Sequence, residues 1–135
     1  MYQHILIPIA LDHEHDNAGA IRIARHLLRD GGKLTALHVM EALPSYATEF
    51  LPDDNLKSYH RETANALHIE LRDQPGLTPV VVLGHAGRSI VDYAQQHGVD
   101  CIVMASHRPG LQDYFLGSTA ARVVRHAMCS VHVIR

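Results

Sequence analysis

Tryptophan is absent from the 135 residues, phenylalanine occurs twice, and aromatic residues make up only 5% of the chain. A flavodoxin-like electron carrier needs aromatic faces to sandwich its isoalloxazine ring, and this composition disfavours one. Cysteine is nearly absent too. Cys101 and Cys129 both lie inside apolar segments, which predicts buried reduced thiols rather than a disulfide or a metal pair. No apolar run approaches the roughly 20 residues of a membrane span. The opening MYQHILIPIALDHEH has no basic stretch ahead of its aliphatic run, and Pro8 breaks that run. No export signal is read there, and a cytoplasmic protein is expected. Neither sign of charge dominates: 12 Lys and Arg against 14 Asp and Glu leave a formal net charge of -2. Nothing in that balance draws the chain to nucleic acid or to an anionic membrane. A bound phosphate must therefore be held by local groups. The Gly-x4-Gly-Lys-(Ser/Thr) loop is also missing, which excludes a P-loop NTPase.

What is present is a hydrophobic share of 47% in a chain long enough for one core and too short for two, so one domain over residues 1–135 is expected. Histidine is abundant, at 12 residues, but scattered. His13 and His15 form the only close pair, in a polar loop without a Cys or a further His at ligand spacing, and read as solvated loop residues.

Ile5, Leu6, Ile7 and Ile9 form an aliphatic run of the kind buried on both faces of a parallel sheet. From Asn17 the period changes to 3.6, with Ala20, Ile21, Ala24, Leu27 and Leu28 on one face and Arg22, Arg25 and Arg29 on the other. Gly31 and Gly32 are expected to end this helix. Leu34 to Val39 gives a second strand, and Asp54 to about Arg72 a second helix broken by Pro75-Gly76. Val80 to Leu83 is the third strand; Ser89 opens a third helix closed by Gly98. Cys101 to Ala105 is a fourth strand, Ser118 to His126 a fourth helix, and Val131 to Ile134 a fifth strand. Strict alternation of this kind means an α/β fold: a doubly wound five-stranded parallel sheet with four helices. In the order 3-2-1-4-5 the chain reverses direction between the first and fourth strands, and a ligand crevice opens beyond their carboxyl ends. Pro8 to Asp12 and Met104 to Thr119 then become the crevice loops.

The second of these, Met104-Ala-Ser-His-Arg-Pro-Gly-Leu-Gln-Asp-Tyr-Phe-Leu-Gly-Ser-Thr119, leaves a buried strand and enters a helix. Such a helix start suits an anion. Gly117 permits close backbone approach, Ser118 offers an N-cap hydroxyl, and the N–H groups of Thr119 and Ala120 sit at a dipole end worth about half a positive charge. Arg108 adds a planar two-pronged phosphate contact. On local chemistry alone, Ser118 as a plain cap and Arg108 as a solvated loop residue fit equally.

The stretch from Ser106 to Arg135, SHRPGLQDYFLGSTAARVVRHAMCSVHVIR, together with Ile5-Leu-Ile-Pro8 and Leu37-His-Val39, resembles the universal stress proteins, in particular their small bacterial UspF and UspG type. The likeness extends over essentially the whole chain. It implies an adenine nucleotide, ATP or AMP, with Mg2+ where needed, held at the switch point, and a homodimer paired through the C-terminal edge strand. Members that bind ATP carry a Gly-x2-Gly-x9-Gly-(Ser/Thr) loop. Here Ala105 stands at the first Gly and Arg108 at the second, with eight residues, Pro109 to Leu116, before Gly117. Ala10 replaces the Asp of the family's Pro-x-Asp after the first strand, and Asp12 lies two residues on. The resemblance implies a nucleotide-binding set of Pro8, Ile9, Ala10, Asp12, Val39, Met104, Ala105, His107, Arg108, Gly117, Ser118 and Thr119, with Val39 lining the adenine pocket through its main chain.

No nucleophile, base and orienting acid can be assembled from these residues, and His107 reads as a loop residue rather than a general base. A nucleotide-responsive binding module, serving a protein partner through its dimer surface, is the leading expectation. A slow ATPase or autophosphorylating protein using Ser118 or Thr119 stands beside it, and so does a nucleotide-free dimeric module, favoured by Ala10, Ala105 and Arg108.

Overall fold

The computed structural model describes residues 1–12, 15–41, 53–106 and 116–135. Five strands, β1 (Tyr2–Pro8), β2 (Leu28–Glu41), β3 (Leu77–Gly84), β4 (Cys101–Ala105) and β5 (Ser130–Ile134), alternate with four helices, α1 (Asn17–Leu27), α2 (Asp53–Glu70), α3 (Ala86–Gln96) and α4 (Ser118–His126). All ladders are parallel and the sheet order is β3-β2-β1-β4-β5. This matches the expected order 3-2-1-4-5; alternation of strands and helices by itself requires only a parallel sheet.

Successive residues of a strand point to opposite faces, and the two core clusters follow that rule. Ile5, Ile7, Leu34, Ala36, Cys101 and Val103 pack with residues of α1 and α2. Leu6, Leu37, Ile102 and Met104 pack with Ile90 and Ala94 of α3 and Ala120 and Val123 of α4. Helices therefore cover both faces, two to each. Cys101 belongs to the first cluster and Cys129 packs against the second. Both thiols are free, and burial pushes Cys101 up to about 11, so it is a neutral thiol at physiological pH. Among the described residues no helix is long and apolar enough to cross a membrane.

Several boundaries differ from the sequence expectation: β2 begins at Leu28 rather than Leu34, β3 at Leu77 rather than Val80, and two helix ends are displaced. Helix α1 ends at Leu27, where the N–H of Leu28 closes the last turn on Ala24 O, and not at Gly31-Gly32. The chain is already extended at Leu28, which pairs with Tyr2; His4 then pairs with Lys33, so the ladder is interrupted between them. Gly31, at φ 77°, serves this irregularity within β2, a left-handed position that suits glycine. Helix α3 begins at Ala86, not Ser89, after an N-cap at His85 that makes no side-chain capping bond.

At the amino end of the sheet, a small polar cluster joins β1 to its neighbours. The Asp100 carboxylate accepts the N–H groups of Gln3 and His4, both at 2.9 Å. His4 Nδ1 donates to His97 O at 3.2 Å, which leaves Nε2 to accept from the buried Thr35 hydroxyl at 2.9 Å. Burial pushes His4 below its ordinary 6.5, against the opposing pull of the His97 carbonyl. Burial raises the Asp100 carboxyl, but the N–H donors outweigh it and hold the group below its usual range. With both values lowered in the fold, the unfolded chain takes up protons first as pH falls, and stability drops. The His4 contribution is lost progressively below pH 6.5, and that of Asp100 only below 3.8. His4→Gln, which keeps hydrogen-bonding capacity without titrating, is expected to lose less stability than the parent between pH 7 and pH 5. Urea denaturation at the two pH values checks this; identical pH dependence in the two proteins would contradict it.

Candidate functional site

Strands β1 and β4 are paired over two residues only, Ile5 with Cys101 and Leu6 with Ile102. Beyond that point they part. On the other side, β1 pairs with β2 as far as Pro8 opposite Leu37, and the Ile9 N–H reaches Leu37 O at 2.8 Å. His38 and Val39 thus run on past the end of β1. The result is a cleft of ≈ 580 Å³ above the carboxyl ends of the central strands, at the switch point. Its volume is that of a small-molecule site.

Ten of the twelve residues expected at a nucleotide site line this cleft: Pro8, Ile9, Ala10 and Asp12 from β1 and the segment after it, Val39 from β2, Met104 and Ala105 from β4, and Gly117, Ser118 and Thr119 from the start of α4. His107 and Arg108 lie outside the described residues. Ile9 and Met104 are buried, and Val39 packs against the α3–α4 core cluster, so this part of the lining is apolar and firmly backed.

The entry into α4 differs in detail from the expectation. Gly117, at φ -56° and ψ 151°, is the N-cap, so Ser118 is the first helical residue, and among the described residues no side chain caps the helix. The first helical hydrogen bond runs from Ala121 N–H to Gly117 O at 2.8 Å. The N–H groups of Ser118, Thr119 and Ala120 precede it and find no partner among the described residues. They stand at the positive end of the helix, on the cleft wall. At 117 glycine is required for space and not for dihedral freedom. A Cβ there would overlap the carbonyl oxygen of Ser106, which accepts the Gly117 N–H at 3.1 Å.

The opposite wall is held by a residue that the sequence pattern left as a plain helix start. Asn17 is buried and turns its amide on Ala10: Oδ1 accepts the Ala10 N–H at 3.2 Å and Nδ2 donates to Ala10 O at 2.6 Å. Nδ2 also donates to Glu70 Oε1 at 3.1 Å. The backbone N–H of Ala10 is thereby engaged, and its side chain offers a ligand only a methyl group. Asp12 is tied to His15, which donates from Nδ1 to Oδ2 at 2.8 Å and from its backbone N–H to Oδ1 at 3.2 Å. His38, beside Val39, donates from Nδ1 to Ile9 O at 2.8 Å, which ties its ring to the end of β1. Among the described residues no group of three or more His, Cys, Asp or Glu side chains is placed to hold a metal ion.

The model of the universal stress protein family matches residues 1–135. The chain belongs to the universal stress protein family. Universal stress protein G of Escherichia coli O157:H7 is 27% identical over 142 residues, covering 100% of both chains. Universal stress protein UspA from Lactobacillus plantarum superposes with a TM-score of 0.76 at 28% identity, covering 99% of this chain and 98% of that one. A universal stress protein from Archaeoglobus fulgidus, solved in complex with dAMP, shares the fold with a TM-score of 0.64 at 20% identity, covering 99% of this chain and 98% of its own. In this family member the cleft therefore lies on a sheet of the family's topology.

Proposed function

We propose that the cleft binds an adenine nucleotide, ATP or AMP, and that occupancy changes what a homodimer of this chain offers to a protein partner in a stress response. The observation that carries the reading is the pairing, across one cleft, of an apolar slot with N–H groups of a helix start that have no partner among the described residues. A purine ring takes the slot by Ile9, Val39 and Met104, and the Val39 main chain, beyond the reach of β1, meets the polar edge of the base. Phosphate takes the N–H groups of Ser118, Thr119 and Ala120, which favour negative charge without any lysine. The dAMP held by the Archaeoglobus protein is of this ligand class; at that identity the likeness is one of fold, and the reading here rests on the chain's own residues. Mg2+ would accompany a triphosphate, taking the phosphates and at most one or two carboxylates; Asp12 is a carboxylate of this lining that suits the task.

Calorimetric titration with adenosine, AMP and ATP tests the proposal, alongside mass spectrometry of nucleotide released from protein taken straight from cells. A phosphate on α4 adds charge-assisted hydrogen bonds, so AMP is expected to bind at least about tenfold more tightly than adenosine. Equal affinities, or no binding by any of the three, would overturn it.

A further inference from the structure

Asn17 is a buried side chain whose hydrogen bonds join three parts of the molecule: the segment after β1, the start of α1 and the end of α2. Its two bonds to Ala10 imitate a strand partner at the point where β1 leaves the sheet and the backbone would otherwise be free to move. Its third bond, to Glu70, fixes the rotation of the amide. With Nδ2 directed at two acceptors and Oδ1 at one donor, a flipped amide would face Ala10 O and Glu70 Oε1 with its own oxygen. The orientation is therefore enforced. Two residues beyond Ala10 stands Asp12, itself tied back to His15, so the course of the segment from Ile9 to Asp12 depends on where Ala10 is held.

We infer that Asn17 is the positioning residue of the cleft: it touches no ligand in this reading, but sets the wall on which the nucleoside half of a nucleotide rests. The inference rests on the nucleotide reading above and adds to it the side chain on which the geometry of the site depends. It also accounts for Ala10. The family's carboxylate position is occupied here by a methyl group, and the polar work at that point of the chain is directed inward, to Asn17.

The test uses the full-length protein and three variants. Asn17→Ala removes all three bonds while leaving the Asp16 N-cap, whose side chain accepts the Gly19 N–H at 2.9 Å, in place. Adenosine and AMP are both expected to weaken by at least about tenfold, with their ratio unchanged, because the phosphate wall at α4 is untouched. Asn17→Asp keeps the size but sets a carboxylate against Ala10 O and Glu70; it should weaken both ligands similarly. Combining Asn17→Asp with Glu70→Gln, which restores a donor at 70, should recover part of the loss. A merely structural Asn17 would lower the melting temperature and leave both affinities as they were, and that result would overturn the inference. Should wild-type protein bind neither adenosine nor AMP, the nucleotide reading falls. Amide exchange at Ala10 then decides the positioning role separately: at least about tenfold faster in Asn17→Ala supports it, and no change overturns it.

Discussion

Gly117→Val is expected to abolish measurable nucleotide binding and to destabilise the fold by about 1–3 kcal/mol, the usual cost of forcing extra carbon into a packed site. The clash is with backbone: the added Cβ meets the Ser106 carbonyl oxygen, which cannot rotate away as a side chain end would. Ser106 is held in turn, because its N–H donates to Ile134 O at 2.9 Å. The start of α4 must therefore give way, and the N–H groups of Ser118, Thr119 and Ala120 lose their aim. Because the substitution does not itself fill the cleft, adenosine should keep more of its affinity than AMP does. Calorimetry on a variant shown by circular dichroism to be folded makes the comparison. Unchanged AMP affinity would place phosphate elsewhere.

Val133→Pro is expected to turn a dimer of twice 15.0 kDa into a single chain. Both outer strands of the sheet, β3 and β5, present an edge, but they are not equivalent. Edge strand β3 carries Pro79 within its length, a residue that cannot donate to a further ladder and blunts pairing. Strand β5, Ser130–Ile134, has neither a proline nor a Lys, Arg, Asp or Glu side chain. The exposed Met128 and Val124 lie on the elements leading into it, at 87% and 49% exposure, and give a second copy apolar surface to cover. A two-fold axis lets one β5 pair with the other. Proline at 133 removes a donor and obstructs the approach. Light scattering at micromolar concentration reads the mass, and a circular dichroism melt shows that the variant is folded. A wild-type mass of one chain would defeat the dimer reading at once.

The succession of strands and helices was legible in the sequence because aliphatic runs such as Ile5–Ile7, Val80–Leu83 and Cys101–Ala105 alternate with amphipathic stripes. Cys101–Ala105 and Ser118–His126 are found where the pattern puts them. The misread places are those where local chemistry gives way to tertiary contacts. Gly31-Gly32 resembles a helix stop, yet pairing of Leu28 with Tyr2 draws the chain into the sheet before the glycines are reached. Ser118 resembles a cap, but the contact of Gly117 with Ser106, eleven positions back, puts the glycine there. Asn17 gave the weakest signal. Asparagine at a helix start is ordinary, and its partners at 10 and 70 are separated from it by seven and fifty-three positions. Only a buried polar residue just beyond a loop-facing strand end hints that an amide is needed there.

Ser106 also fixes what may vary. Its carbonyl holds the N–H of Gly117, so the end of β4 and the start of α4 are tied together across eleven positions of sequence. Length in such a closed segment is thermodynamically cheap: each doubling costs only about 0.6 kcal/mol in closure entropy. The chain can thus gain or lose residues between these two anchors, as it does against the family's longer spacing, and keep both β4 and α4 in place.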